Sequence, residues 1–191
     1  MTPGPDRLPA PSVDQMTEGQ RQAFDEISSG PRGALIGPFA PLIQSPELMT
    51  RVQRTGEFLR FHSSLEPRLF EMSILLVARR WDQQFEWSFH QPLALAAGLS
   101  EEIVESIGAG VRPRTMDAQE TLVWDVVSEL ELTKAITDDT FARAGELIGH
   151  VELVELVASL GYYTLLAMVM NVAQTPAPAE PALPKLGKDA T

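Results

Sequence analysis

Helix-start patterns recur along this chain at helix-length intervals, and no two segments alternate as a strand pair must. "TEGQ", Thr17 to Gln20, has capping-box spacing, in which the Thr and Gln side chains each accept from the other residue's backbone N–H. Ser45-Pro46-Glu47 supplies an N-cap, a proline whose fixed φ suits the first helical position, and an acidic first turn. Ser100-Glu101-Glu102, "DAQE" from Asp117 to Glu120 and "TDDT" from Thr137 repeat these signals. Pro67 starts a further segment, Asp82 to Ala97 forms another that Gly98 closes, and the last runs from about His150 to Ala173. "TLVWDVV" is the one stretch with strand-like residues, and its flanks favour helix. The predicted fold class is all-α, a single-domain bundle of about seven or eight helices with short connections.

Residues 15–174 are expected to form that domain. The proline-rich head, residues 1–14, and the Pro/Ala-rich tail "TPAPAEPALPKLGKDAT", residues 175–191, cannot build a core and are expected to be flexible or extended. "SGPRGALIGPFAPLIQ", Ser29 to Gln44, is broken by glycines and prolines and reads as a loop packed on the body.

The formal net charge of −11 opposes nucleic-acid binding, which needs a basic footprint, and binding to anionic membrane surfaces. With no cysteine, disulfides, thiolate catalysis and thiolate metal sites are excluded. The most apolar run, Val157 to Met170, falls short of the ~20 residues that span a bilayer and reads as a buried or interface helix. The start of the chain has neither a basic nor an apolar leader region, so the cytoplasm is the expected compartment.

Chemistry concentrates in "WDQQFEWSFH", Trp81 to His90. Gln83, Glu86 and His90 are spaced by three and four, which puts them on one helix face. Glu71 lies about one helix upstream, beyond the polar break "RRWDQQ"; if the chain turns there, Glu71 approaches His90. An imidazole between carboxylates is suited to moving protons near neutral pH. A Glu–His pair at this spacing is also a common surface pairing worth a few tenths of a kcal/mol. Trp81, Phe85, Trp87 and Phe89 crowd the segment, a buried ionisable pair is costly unless satisfied, and perturbed groups cluster at functional sites. A di-iron reading fails on spacing, since it needs two Glu-x-x-His motifs and neither His62 nor His150 supplies one. Arg79 is a candidate clamp for a substrate carboxylate, and Gln83, Trp87 and Tyr162 are further candidate substrate-binding residues.

The run "EMSILLVARRWDQQFEWSFHQPLALAAGLSEEIVESI", Glu71 to Ile107, resembles the carboxymuconolactone decarboxylase family, also called the alkylhydroperoxidase D-like superfamily. The likeness extends over most of Pro38 to Asn171. The peroxidase branch carries Glu-x11-Cys-x2-Cys-x3-His; here the frame Glu71, Gln83, Glu86, His90 is intact and both cysteines are replaced. The decarboxylase branch has Glu-x3-His, which Glu86 and His90 match. The resemblance implies an all-helical homo-oligomer, trimeric or hexameric, that acts as a cofactor-free acid–base lyase on a small carboxylated ring or lactone from aromatic catabolism. It implies no cofactor and no metal, with His90 central, Glu86 as orienter or second acid–base group, and Glu71 as a relay. A hydrolase or isomerase using the same site, and a non-catalytic helical oligomer or small-ligand binder, are the alternatives.

Overall fold

The computed structural model of the protein describes residues 5–186. The helices are α1 Glu18–Ser29, α2 Phe39–Leu42, α3 Pro46–Phe61, α4 Pro67–Arg80, α5 Gln84–Ala96, α6 Glu101–Gly108, α7 Ala118–Thr133, α8 Asp138–Leu147 and α9 His150–Ala173, after a single 3-10 turn at Val13–Gln15. No strand occurs among the described residues, as the all-α reading requires. The caps explain the boundaries. Thr17 with Gln20 and Asp117 with Glu120 form complete capping boxes, and Ser100 and Thr137 each accept from the backbone three residues on. Ser45 precedes α3 without a side-chain cap bond, so Pro46 and the burial of Met49 and Val52 define that start. The four-residue α2, inside the stretch expected as loop, is the one helix beyond the predicted set.

The described chain falls into two units. One holds the residues up to His62 together with Leu165–Ala177; the other holds Ser63–Thr164 and the residues from Pro178 on. Residues 15–174, expected as one domain, are thus divided between them. In the first unit α1 and α2 pack on α3, and Ile27, Ile43 and Met49 are fully buried.

In the second unit α4 is the central element, packed against α5, α6 and α7. Its residues from Leu69 to Arg79 are all buried, so it behaves as a core helix rather than an amphipathic one. Arg68 anchors its first turn: Nη1 meets Asp117 at 2.9 Å and Glu120 at 2.5 Å, tying α4 to the capped start of α7. Glu155 of α9 accepts from Ser63 Oγ and Ser64 N, both at 2.7 Å, which fixes the entry to α4. The 24 residues of α9 are apolar and long enough to cross a membrane by length and composition, but half of the most apolar window is buried inside the protein. Leu153, Leu156, Ser159, Tyr162 and Tyr163 are among its inward residues.

The tail corrects an expectation. Instead of standing outside the fold, Pro178–Leu186 lies along the second unit: Leu183 N donates to Gln84 Oε1 at 2.9 Å, and Arg79 Nη1 donates to Pro184 O at 2.5 Å. Proline carbonyls remain strong acceptors even where the ring removes the N–H, and buried donors on α4 and α5 satisfy them. Residues 187–191 of the expected flexible tail, and 1–4 of the expected flexible head, lie outside the described residues.

Gly108 ends α6 in a slot that only glycine fills. A Cβ there would sit 3.1 Å from the Trp87 ring and 3.3 Å from Pro184 Cδ. Trp87 is 2% exposed and has nowhere to retreat. Gly108→Ala is therefore expected to destabilise by about 1–3 kcal/mol, read as a lowered denaturation midpoint; an unchanged midpoint would show that Trp87 repacks freely.

Candidate functional site

The site begins at the reversal between α4 and α5. Asp82 adopts a left-handed conformation, φ 49°, and Gln83 N donates to Ala78 O at 2.8 Å. The Gln83 side chain then caps α5 by accepting from Phe85 N at 2.7 Å. With so short a connection, α5 folds back along α4, and the two helices make the most extensive helix–helix contact described.

This reversal brings His90 to Glu71. His90 Nδ1 lies 2.7 Å from Glu71 Oε2, and the two residues are 4% and 8% exposed. Nδ1 is thus the ring nitrogen that shares a hydrogen with the Glu71 carboxyl. Two aromatic edges hold the imidazole plane: Phe89, with centroids 5.2 Å apart at 61°, and Tyr163, at 5.2 Å and 87°. Tyr163 is itself braced edge-on by Phe70 and by Tyr162.

Glu86 stands one turn before His90 on the same face of α5. It is 2% exposed, and neither carboxyl oxygen has a hydrogen-bond partner. Burial pushes its carboxyl well above the usual glutamate range. Its place in the first turn of α5 favours an anion by only about 0.3–1 kcal/mol, whereas desolvating a carboxylate costs several kcal/mol. Desolvation outweighs the helix start and favours the neutral acid form of Glu86.

No protein-family model matches the sequence, and no curated protein matches it. Solved structures do. An "alkylhydroperoxidase AhpD core" structure, an uncharacterized peroxidase-related protein from Ralstonia eutropha JMP134, superposes with a TM-score of 0.73 at 13% identity, covering 93% of this chain and 95% of that one. An uncharacterized peroxidase-related protein from Silicibacter sp. TM1040 gives 0.71 at 12% identity, covering 94% and 96%. A protein of unknown function from Agrobacterium tumefaciens, described with the name AhpD, gives 0.63 at 19% identity, covering 73% and 96%. The chain has the AhpD fold.

Within this AhpD fold Gln83 and Glu86 stand where the resemblance places two cysteines, and the chain has none. The structure also sorts the sequence-derived candidates. Glu71, not Glu86, is the carboxylate hydrogen-bonded to His90, so Glu86 is not what orients the ring. Gln83 caps α5.

Arg79, the candidate carboxylate clamp, is engaged locally: its Nη1 donates to Gly108 O at 2.9 Å and to Pro184 O, and its Nη2 pairs with Asp82. Trp87, the next residue after Glu86 on α5, packs its ring against Gly108. The Tyr163 ring packs edge-on against His90, and Tyr162 packs edge-on against Tyr163. Sequence reasoning missed Tyr163 and Phe89; the adjacent tyrosines in an apolar helix were a signal, but not of which one faces inward. Among the described residues no group of three His, Asp or Glu side chains is placed to hold a metal ion.

Proposed function

We propose that this chain is a cofactor-free proton-transfer enzyme, in its finer assignment a carboxy-lyase acting on a small carboxylated ring or lactone. The observation that carries the reading is the pairing of a buried imidazole–carboxylate contact, His90 with Glu71, with a buried and unpartnered carboxyl, Glu86, on the same helix face. Burial raises the proton affinity of Glu86, and the Glu71 carboxyl fixes the imidazole, so the site offers a hydrogen-bond donor and an oriented proton carrier side by side.

In the lyase reaction the bond to the substrate carboxylate breaks, carbon dioxide leaves, and the electron pair moves into the ring as a dienolate. The neutral Glu86 carboxyl donates a hydrogen bond to the developing oxyanion, which is stronger there than to the uncharged ground state. The imidazolium of His90 delivers a proton from Nε2 to carbon, and Glu71 stabilises that imidazolium through Nδ1–H. A solvent proton restores the imidazolium, so atoms and charge balance without an oxidant or reductant.

The non-catalytic alternative expects His90 to titrate like an exposed histidine with no pocket around it; the burial of His90 beside Glu71 favours the catalytic reading. A hydrolase or isomerase would use the same three groups. The test is turnover on a panel of carboxylated lactones, simple lactones and unconjugated double-bond isomers. Carbon dioxide release from the first group, lost in His90→Gln, is expected. Ring opening or isomerisation without carbon dioxide would replace the lyase by one of its relatives, and no turnover on any member would remove the reading.

A further inference from the structure

We propose that Pro178–Leu186 is a clasp that sets the α4–α5 register, with Gln84 as the positioning residue that engages it. The inference rests on the proton-transfer reading for its consequence, though not for its geometry.

The tract presents mostly carbonyls, because its prolines have no N–H, so donors must come from the body of the unit. Gln84 supplies both kinds of group. Its Nε2 donates to Pro178 O and Pro181 O, each at 3.1 Å, while its Oε1 accepts from Leu183 N. Ser88 Oγ, one turn further along α5, lies 3.2 Å from the same two carbonyls. At the other end Arg79 of α4 bonds to Pro184 O and to Gly108 O of α6. Two glycines make the seat: a Cβ on Gly108 would meet Pro184, and one on Gly110 would lie 3.1 Å from Leu186. The tract therefore touches α4, α5 and the end of α6 together.

Helical spacing gives this contact its meaning. Gln84 and Ser88 share one face of α5, and Glu86 and His90, two residues on in each case, share the opposite one. The clasp closes α5 from one side, and the Glu71–His90 contact closes it on α4 from the other. Arg79 makes the coupling costly to break: its side chain is 9% exposed and Nε already lacks a partner, so losing Pro184 O leaves a buried cation short of acceptors. A shift of about 1 Å at a proton-transfer contact is enough to cost roughly 100-fold in rate.

Two variants of the full chain test this from opposite sides. Gln84→Ala removes the receiving amide, and Leu183→Pro removes the one tract N–H that Gln84 accepts. Amide hydrogen exchange of the tract, read by mass spectrometry, is expected to speed up by at least about tenfold in both. The His90 Nδ1–H proton resonance is expected to shift or vanish in both, a signature that merely losing a surface segment would not move. Continued protection of the tract in both variants, or a freed tract with an unmoved resonance, would overturn the clasp. No substrate enters either readout, so the clasp and the proposed reaction fail independently.

Discussion

His90→Gln is expected to lower turnover by about 10²–10⁴-fold on any substrate the protein accepts, the range that a positioned proton-transfer group contributes. Glutamine is the informative replacement. It keeps an N–H donor near Glu71 and so spares the fold, but its amide cannot carry a proton at neutral pH. His90→Ala also removes the partner of Glu71, a carboxylate 8% exposed, and stranding one member of a buried pair costs roughly 3–5 kcal/mol. Loss of activity in the alanine variant alone would therefore confound chemistry with folding. Steady-state kinetics on the glutamine variant, with its denaturation midpoint beside it, separate the two. Activity within about threefold of the parent would remove His90 from the mechanism.

The second large effect concerns stability rather than rate. Glu86 has its folded-state proton affinity raised by burial above the ordinary value of 4.5. For an acid shifted upward, the folded chain keeps a proton that the unfolded chain has released. Stability is then full below pH 4.5 and falls as pH rises from there toward the folded-state value. Each pH unit within that window costs about 1.4 kcal/mol from this one group. Glu86→Gln removes the titration and keeps the shape. Denaturant unfolding of both proteins across pH is expected to show the variant gaining on the parent as pH rises above 4.5, with parallel curves below it. Curves that stay parallel throughout would mean that Glu86 titrates as an exposed carboxylate.

The features legible in the sequence were local. Thr17 with Gln20, and Asp117 with Glu120, announce helix starts because a capping box is made within four residues. The Glu71–His90 contact was legible one step further out, because a polar break between two apolar runs implies a reversal and helical spacing then says what meets. What escaped was set by rotation and by distant partners. Tyr162 and Tyr163 differ by one residue and hence by about 100° around α9, so only packing chooses between them. The destination of Arg79 depends on Pro184, 105 positions away, and nothing local to "ARRWD" encodes it. The tail looked inert because composition scores its lack of apolar bulk and is blind to carbonyls that donors on α4 and α5 can satisfy.

Glu86 is the group on which the account turns, since a neutral carboxyl beside an oriented imidazole is what distinguishes a proton-transfer site from a buried ion pair. The most direct measurement follows the ¹³C resonance of its side-chain carboxyl through a pH titration of glutamate-labelled protein, assigned by its disappearance in Glu86→Gln. The account predicts a carboxyl that keeps its proton to higher pH than the other glutamates and titrates apart from them. A Glu86 resonance that titrates with the exposed glutamates near 4.5 would contradict it.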